Sequence, residues 1–333
     1  MNLSAQQIHQ LIQSFEGHKA MVIGDIMVDS YIRGWVSRIS PEAPVPIVAV
    51  QNREYRLGGA GNVALNLKAL GAEPLLCGVT GQDEGGDTLV VLMQQHGLST
   101  EGIIQSKRRI TTRKTRIMAR EQQMLRIDEE QTGFLPAEEE AQFIRECDRL
   151  LQVFQPDVLI LQDYDKGVLT PAVIDFIIGQ ASRRNIPVAV DPKFRSFFAY
   201  RNVTLFKPNL KELCKALNRD IISTEPEKLQ QTVAEIDKKI SAQHYLVTLS
   251  AEGIYHWSQE GGTLFAPLHR ANVADVSGAG DTVISISALS LATGADMSLA
   301  AQVANLAGGL VCEHPGVVPV NKEELLTLAK TLF

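Results

Sequence analysis

Cysteine is scarce in this 333-residue sequence: four residues, Cys77, Cys147, Cys214 and Cys312, lie far apart with no C-x-x-C pair. That spacing suits neither a zinc site nor a disulfide framework and reads as inert, buried thiols. Long apolar runs are missing too. The most hydrophobic stretch, 283–292, contains serines and is far shorter than a membrane helix requires. The first residues, MNLSAQQIHQLIQSF, lack the basic start and apolar centre of a secretory signal. A soluble cytoplasmic protein without a membrane partner is the expectation. There is no excess of positive charge, with 32 Lys and Arg against 38 Asp and Glu for a net −6, so a global basic field for nucleic acid is excluded. No G-x-x-x-x-G-K-[ST] loop and no H-E-x-x-H motif occurs, which excludes P-loop chemistry and the zincin metalloprotease pattern. The two tryptophans, Trp35 and Trp257, read as packing residues.

One local exception stands against that acidic average. Between residues 107 and 126 eight basic residues face a single acid, Glu121. A basic island in an acidic chain points to a small anionic ligand more than to a polymer.

What is present is an alternation. Val- and Ile-rich runs at 20–28, 45–50, 75–79, 157–161, 187–190 and 245–249 read as strands, several of them apolar on both faces. Helical periodicity fills 62–70, 85–96, 136–154, 171–184 and 225–239. Such an order implies right-handed βαβ units, hence an α/β fold with a mostly parallel sheet between two layers of helices. Two stretches, about 30–56 and 110–129, look like strands without crossover helices and predict a small sheet over the mouth of the main one. The length suggests about two domains, but with no linker in sight the chain reads as one unit, 1–333, carrying a strand lid.

Two glycine-rich segments carry the chemistry. The first is Gly58-Gly59-Ala60-Gly61-Asn62; residues 59–64 formally read G-x-G-x-x-A, but the polar QNREYRL before them is no buried strand, so a nicotinamide-binding turn is disfavoured. A loop whose bare backbone admits a polar ligand fits better, and a plain tight turn stays open. Asp275-Val276-Ser277-Gly278-Ala279-Gly280-Asp281-Thr282 precedes an apolar helical run. Small residues there aim successive N–H groups at one spot at the positive end of a helix, an anion hole suited to a transferring phosphoryl group. Asp281 in the first turn is placed to accept a proton from a substrate hydroxyl. A simple helix cap is the alternative.

Together these segments resemble the signatures of the ribokinase-like (PfkB) carbohydrate kinase family: GGAGNVALNLKALGA first, Asn209-Leu210-Lys211-Glu212 between, DVSGAGDT last, in the family's order over almost the whole chain. Ser277 stands where Thr is frequent. SRISPEAPVPIV, TRIMAREQQMLRID, DYDKG, VDPKF and FKPNLKE narrow the resemblance to the branch acting on D-glycero-β-D-manno-heptose 7-phosphate. No HxGH nucleotidyltransferase motif follows, so the expectation is a kinase without a fused adenylyltransferase. The resemblance implies a ribokinase-like three-layer sandwich that phosphorylates the anomeric O1 of the heptose phosphate with ATP and Mg²⁺, toward ADP-heptose and lipopolysaccharide.

The same resemblance implies roles. Asp281 would be the base, with Gly278, Ala279 and Gly280 as anion hole. Asp29, Gly58, Gly59 and Asn62 would hold sugar hydroxyls. Asn209 and Glu212 would organise Mg²⁺ and its waters. Ser250, Glu252 and Gly253 would approach the nucleotide, and Asn305 the adenine. Asp275 and Ser277 resemble positions that bind a monovalent cation such as K⁺ in some members. From residue chemistry, Arg116 and Arg126 are candidates for the substrate phosphate, Gln123 for ring hydroxyls, and Lys166 and Lys193, after strand ends, for either phosphate. Unpaired lid edges suggest a homodimer. A PfkB kinase for another sugar phosphate and a non-catalytic sugar-phosphate sensor stay open at this point.

Overall fold

The computed structural model describes residues 3–120, 122–220, 224–269 and 272–333; Glu121 of the basic island lies outside them. The chain opens with α1 (Ala5–Ser14) and β1 (Lys19–Gly24), then a long hairpin of β2 (Ile26–Ile39) and β3 (Pro46–Gly59). It continues through α2 (Ala60–Ala69), β4 (Glu73–Gly81), α3 (Glu84–Gln95) and β5 (Ile103–Ser106) to a second hairpin, β6 (Arg113–Ala119) and β7 (Gln122–Glu129). Next come α4 (Ala137–Phe154), β8 (Val158–Gln162), α5 (Pro171–Arg184), β9 (Val188–Asp191), β10 (Leu205–Phe206), α6 (Leu210–Ala216) and α7 (Pro226–Ile240). The last part is β11 (His244–Thr248), β12 (Ile254–Ser258), β13 (Gly261–Phe265), α8 (Ala279–Ala292), α9 (Met297–Val311) and α10 (Lys322–Leu332).

Nine strands form the central sheet in the order β13-β12-β11-β10-β9-β8-β1-β4-β5. All neighbours are parallel except β11–β12 and β12–β13. Period-two alternation sends Ala20 and Val22 of β1 to one face and Met21 and Ile23 to the other. The first face is covered by α1, α2, α3, α8, α9 and α10, the second by α4, α5, α6 and α7. This is the expected three-layer α/β/α sandwich. The second sheet, β3-β2-β6-β7, is the expected lid.

Two boundaries differ from the sequence reading. The run at 20–28 is two strands of different sheets, because the chain turns at Asp25, which is buried and bonded on every side: its N–H donates to Gln162 O, its C=O accepts from Ala60 N, and its carboxylate accepts from the N–H groups of Tyr164, Lys166 and Val168 at 2.8–3.1 Å. Continuous apolar sequence hides such a corner. The supposed loop at 58–61 is the end of β3 running directly into α2. The antiparallel edge strands β12 and β13 are not legible in the sequence because Gly261, Gly262 and polar residues interrupt their pattern.

Candidate active site

Gly278 precedes α8 as its N-cap, with a φ of 89° that is left-handed and free of strain only for glycine. No side chain caps this end, so the N–H groups of Gly280 and Asp281 stand open at its positive terminus, while Ala279 N reaches Val276 O only at 3.5 Å. They face a cleft of about 940 Å³ whose walls include Lys193, Asn209, Ser250, Gly253, Asn305 and residues 278–281.

Asp281, in the first turn of α8, is 3% exposed. Its Oδ1 accepts from the Tyr164 hydroxyl at 2.7 Å and from Gln162 Nε2 at 3.2 Å, and its Oδ2 accepts from Asn62 Nδ2 at 2.8 Å. A carboxylate has about four acceptor positions. Oδ1 is therefore filled, and Oδ2 keeps one lone pair free. Burial pushes the Asp281 carboxyl up to about 6, with the Asp191 charge adding to the effect and Asn62, Tyr164 and Lys207 opposing it. Next to it, Lys207 Nζ lies 3.0 Å from Asp191 Oδ2, which also accepts from Gln162. A Cβ on Gly280 would stand 3.7 Å from Lys207 Nζ, which puts this ammonium beside the open end of α8.

The N-x-x-E element is a capping box. Asn209 Oδ1 accepts from Glu212 N at 2.9 Å, and Glu212 Oε2 accepts from Asn209 N at 2.8 Å. Lys193 takes the other Glu212 oxygen. Burial disfavours the Lys193 charge, yet Asp191 and Glu212 hold it protonated above the ordinary lysine range. Asn305 lines the cleft and donates to the carbonyls of Phe265 and Ala266 at 3.1 and 3.0 Å, fixing the end of β13.

The lid has two different faces, which its register defines. β6 pairs parallel with β2, Asp29 beside Lys114 and Tyr31 beside Arg116, while β7 sets Arg126 opposite Arg116. A bulge between Ile117 and Met118 brings Gln123 opposite Met118, so Gln123 and Arg126 share a face although three residues apart. That polar face looks toward Asp281, because Lys114 Nζ lies 5.5 Å from the centre of the Tyr164 ring. The guanidiniums of Arg33, Arg56 and Arg116 lie 5.0–5.6 Å from the Tyr31 ring. Arg116 is buried in an ion pair with Asp29, and Gly58 is required beneath them, since a Cβ there would lie 2.1 Å from Asp29 Oδ2. Gly59, with φ 60°, precedes α2 beside Asp25 O.

Several expected residues do not converge here. Arg126 is exposed and forms a bidentate pair with Asp128 at 2.8 and 2.9 Å, and Gln123 is exposed on the same strand. Lys166 pairs with Glu130 at 2.9 Å and lies within electrostatic reach of Lys114 on the lid, outside the lining of the cleft. Glu252 is exposed beside Ser250 and Gly253 and does not line the cleft. Asp275 accepts from Ser277 N at 2.9 Å and Gly316 N at 3.1 Å. Each oxygen spends one acceptor position on this loop clamp and keeps another. Conversely, no motif in the sequence singles out Tyr164, Gln162, Asp25, Asp191 or Lys207 as individual residues. Gln162 and Asp191 end β8 and β9, and the carboxyl ends of parallel strands are where ligands bind in such sheets; that positional signal was available.

The profile of the pfkB family carbohydrate kinases matches residues 18–324. The chain is 39% identical over 324 residues to the bifunctional protein HldE of Trichlorobacter lovleyi, covering 97% of this chain and 65% of that one. It thus spans less than two thirds of the length of such relatives. In structure it is similar to phosphofructokinase-2 from Escherichia coli in complex with potassium, with a TM-score of 0.77, 20% identity, and coverage of 95% of this chain and 99% of that one. Ribokinase from Arabidopsis thaliana complexed with ribose and ATP gives 0.70 at 17% identity, covering 94% and 99%. Signatures, topology, profile and relatives coincide along one chain: this protein belongs to the pfkB family of carbohydrate kinases.

Proposed function

We propose that this chain transfers the γ-phosphoryl group of ATP to the anomeric O1 of D-glycero-β-D-manno-heptose 7-phosphate, giving the 1,7-bisphosphate that precedes ADP-heptose and the lipopolysaccharide core. The observation that carries this reading is a buried carboxylate with one free lone pair, set at the uncapped start of α8 between a nucleotide-sized cleft and a basic lid face. The sugar O1–H meets Asp281 Oδ2. As O1 attacks in line, the O1–phosphorus bond forms, the bond from phosphorus to the ADP oxygen breaks, and the proton passes to Oδ2. With a pKa of about 6, Asp281 is about 90% ionised at pH 7, close enough to neutrality to work as a base. Charge on the phosphoryl oxygens meets the N–H groups at 279–281, with Lys207 alongside.

Asp29, Gly58 and Gly59 border the sugar side, and Asn62 acts through Asp281. Arg116 exchanges Asp29 for the substrate phosphate, assisted by Lys114. Ser250, Gly253, Asn209 and Asn305 border the nucleotide, and Lys193 meets its phosphates. Among the described residues no cluster of three metal-ligating side chains occurs, and both Glu212 oxygens are engaged, so the donor set does not fit a protein-caged Mg²⁺. It fits an ion that arrives on the triphosphate and keeps its waters, with Glu212 in reach of those waters only; such an ion neutralises phosphate charge.

The opposite lid face is apolar, with Ile39 60%, Leu125 54% and Ile127 45% exposed, and supports a homodimer of lids. Among the described residues no helix is long and apolar enough to cross a membrane, in keeping with a cytoplasmic enzyme.

The test is ADP release from Mg-ATP with a panel of sugar 7-, 6- and 1-phosphates. Selective turnover of the heptose 7-phosphate is expected. Preference for another sugar phosphate would reassign the substrate, and no turnover with any would favour a sensor.

A further inference from the structure

Asp281 is not held by its own helix alone, and the rest of its support comes from the loop after β8. The Tyr164 hydroxyl and Gln162 Nε2 both reach Oδ1, the oxygen facing away from the free lone pair. The Tyr164 phenol is kept neutral by burial and by the Asp281 and Asp191 charges, which raise it well above the ordinary tyrosine range. It is therefore a donor throughout the working pH range. Its backbone is anchored as firmly as its hydroxyl, because the buried Asp25 carboxylate accepts from the N–H of Tyr164, Lys166 and Val168. Its ring has two ammonium groups beside it, Lys114 of β6 at 5.5 Å and Lys193 at 5.4 Å. One side chain thus touches the base, the floor of the cleft and the lid.

We infer that Tyr164, anchored by Asp25 and seconded by Gln162, is a positioning residue that fixes the Asp281 rotamer, directs the proton to Oδ2 and sets the proton affinity of the base. The inference rests on the reading of Asp281 as that base. A carboxylate free to rotate about its Cβ–Cγ bond would offer the substrate hydroxyl either oxygen, and holding Oδ1 with two donors removes that freedom. A donor to the ionised form also favours ionisation, so the tether keeps Asp281 deprotonated further into acid than burial alone would allow. The other charges facing Asp281 are Asp191 at the end of β9, Lys193 beyond it, and Lys207 after β10. They remain when the phenol is removed.

Tyr164→Phe deletes one oxygen and leaves the ring between its two lysines. Two readouts follow. Carbon-13 NMR titration of the Asp281 carboxyl, assigned with Asp281→Asn and done without substrate, is expected to move up by about one pH unit. The acidic limb of kcat/KM moves with it, an approximately tenfold loss at pH 5 that fades above pH 8, with KM for ATP unchanged. Gln162→Met, which removes the longer bond, is expected to shift the titration in the same direction by less. An unchanged Asp281 midpoint in both variants overturns the inference, as does a loss of activity uniform across pH, the mark of a merely structural role. Should the wild type turn over no sugar phosphate, the kinase reading falls, while the substrate-free titration still decides whether Tyr164 governs Asp281.

Discussion

Replacing Asp281 with Asn is expected to make the protein more stable at neutral pH while removing its activity. In the folded chain the carboxyl is raised from 3.8 to about 6, chiefly by burial. Each unit is about 1.36 kcal/mol, so keeping Asp281 ionised at pH 7 costs about 3 kcal/mol of folding free energy. The sign follows from proton binding. Because the folded-state pKa lies above the unfolded value, the favourable contribution is whole below pH 3.8 and is lost as pH rises through about 6. Asn fills the same volume without the charge, and a turn of the Asn62 amide restores complementary hydrogen bonds. Urea unfolding of wild type and Asp281→Asn from pH 4 to 8 should give similar stabilities near pH 4 and a variant more stable by up to about 3 kcal/mol above pH 7. Turnover should fall by about 10²–10⁴ for a lost base. Equal stabilities at pH 7, or an equal gain at pH 4 and pH 7, would refute the claim that an ionised carboxylate is being held in a buried site.

Other outcomes follow from the same geometry. Gly58→Ala places a methyl 2.1 Å from Asp29 Oδ2, which forces the Asp29–Arg116 pair apart. Breaking a buried pair costs about 3–5 kcal/mol, so thermal denaturation should show a clear drop, with KM for the sugar phosphate raised more than KM for ATP. Asn305→Ala removes two bonds to the carbonyls that end β13; a loss of about 1–2 kcal/mol and a higher KM for ATP alone are expected from denaturation and steady-state kinetics. His256 is buried against His244, and burial together with the charge of that neighbour lowers its pKa to about 4. The unfolded chain then takes up a proton first, so about 3 kcal/mol of stability is lost as pH falls from about 6.5 to 4. His256→Phe should flatten that window in pH-dependent unfolding.

The layers were legible because parallel strands covered on both faces are continuous apolar runs. Hence 157–161 and 187–190 fall within a residue or two of β8 and β9, and 171–184 coincides with α5. The same rule misled at 20–28, where apolar residues continue through the corner at Asp25 into a strand of another sheet. Asp281 and the glycines before it announced themselves by local spacing. Their supports did not: Tyr164 and Gln162 lie 117 and 119 residues from Asp281, and Asn62, expected at the sugar hydroxyls, lies 219 away; only the sheet brings them together. Charge was legible as an island but not as contacts. Strand register puts Arg116 and Arg126 on one face, and neighbouring acids decide that Arg116 pairs with Asp29 while Arg126 turns to Asp128.

The most direct measurement is phosphorus-31 NMR of the product formed from heptose 7-phosphate and Mg-ATP by wild type and by Asp281→Asn. The expected result is a second phosphate signal coupled to the anomeric proton with wild type, and almost none with the variant over the same time. A phosphate on another hydroxyl, or anomeric product formed at an undiminished rate by Asp281→Asn, would contradict the assignment of Asp281 as the base of an anomeric kinase.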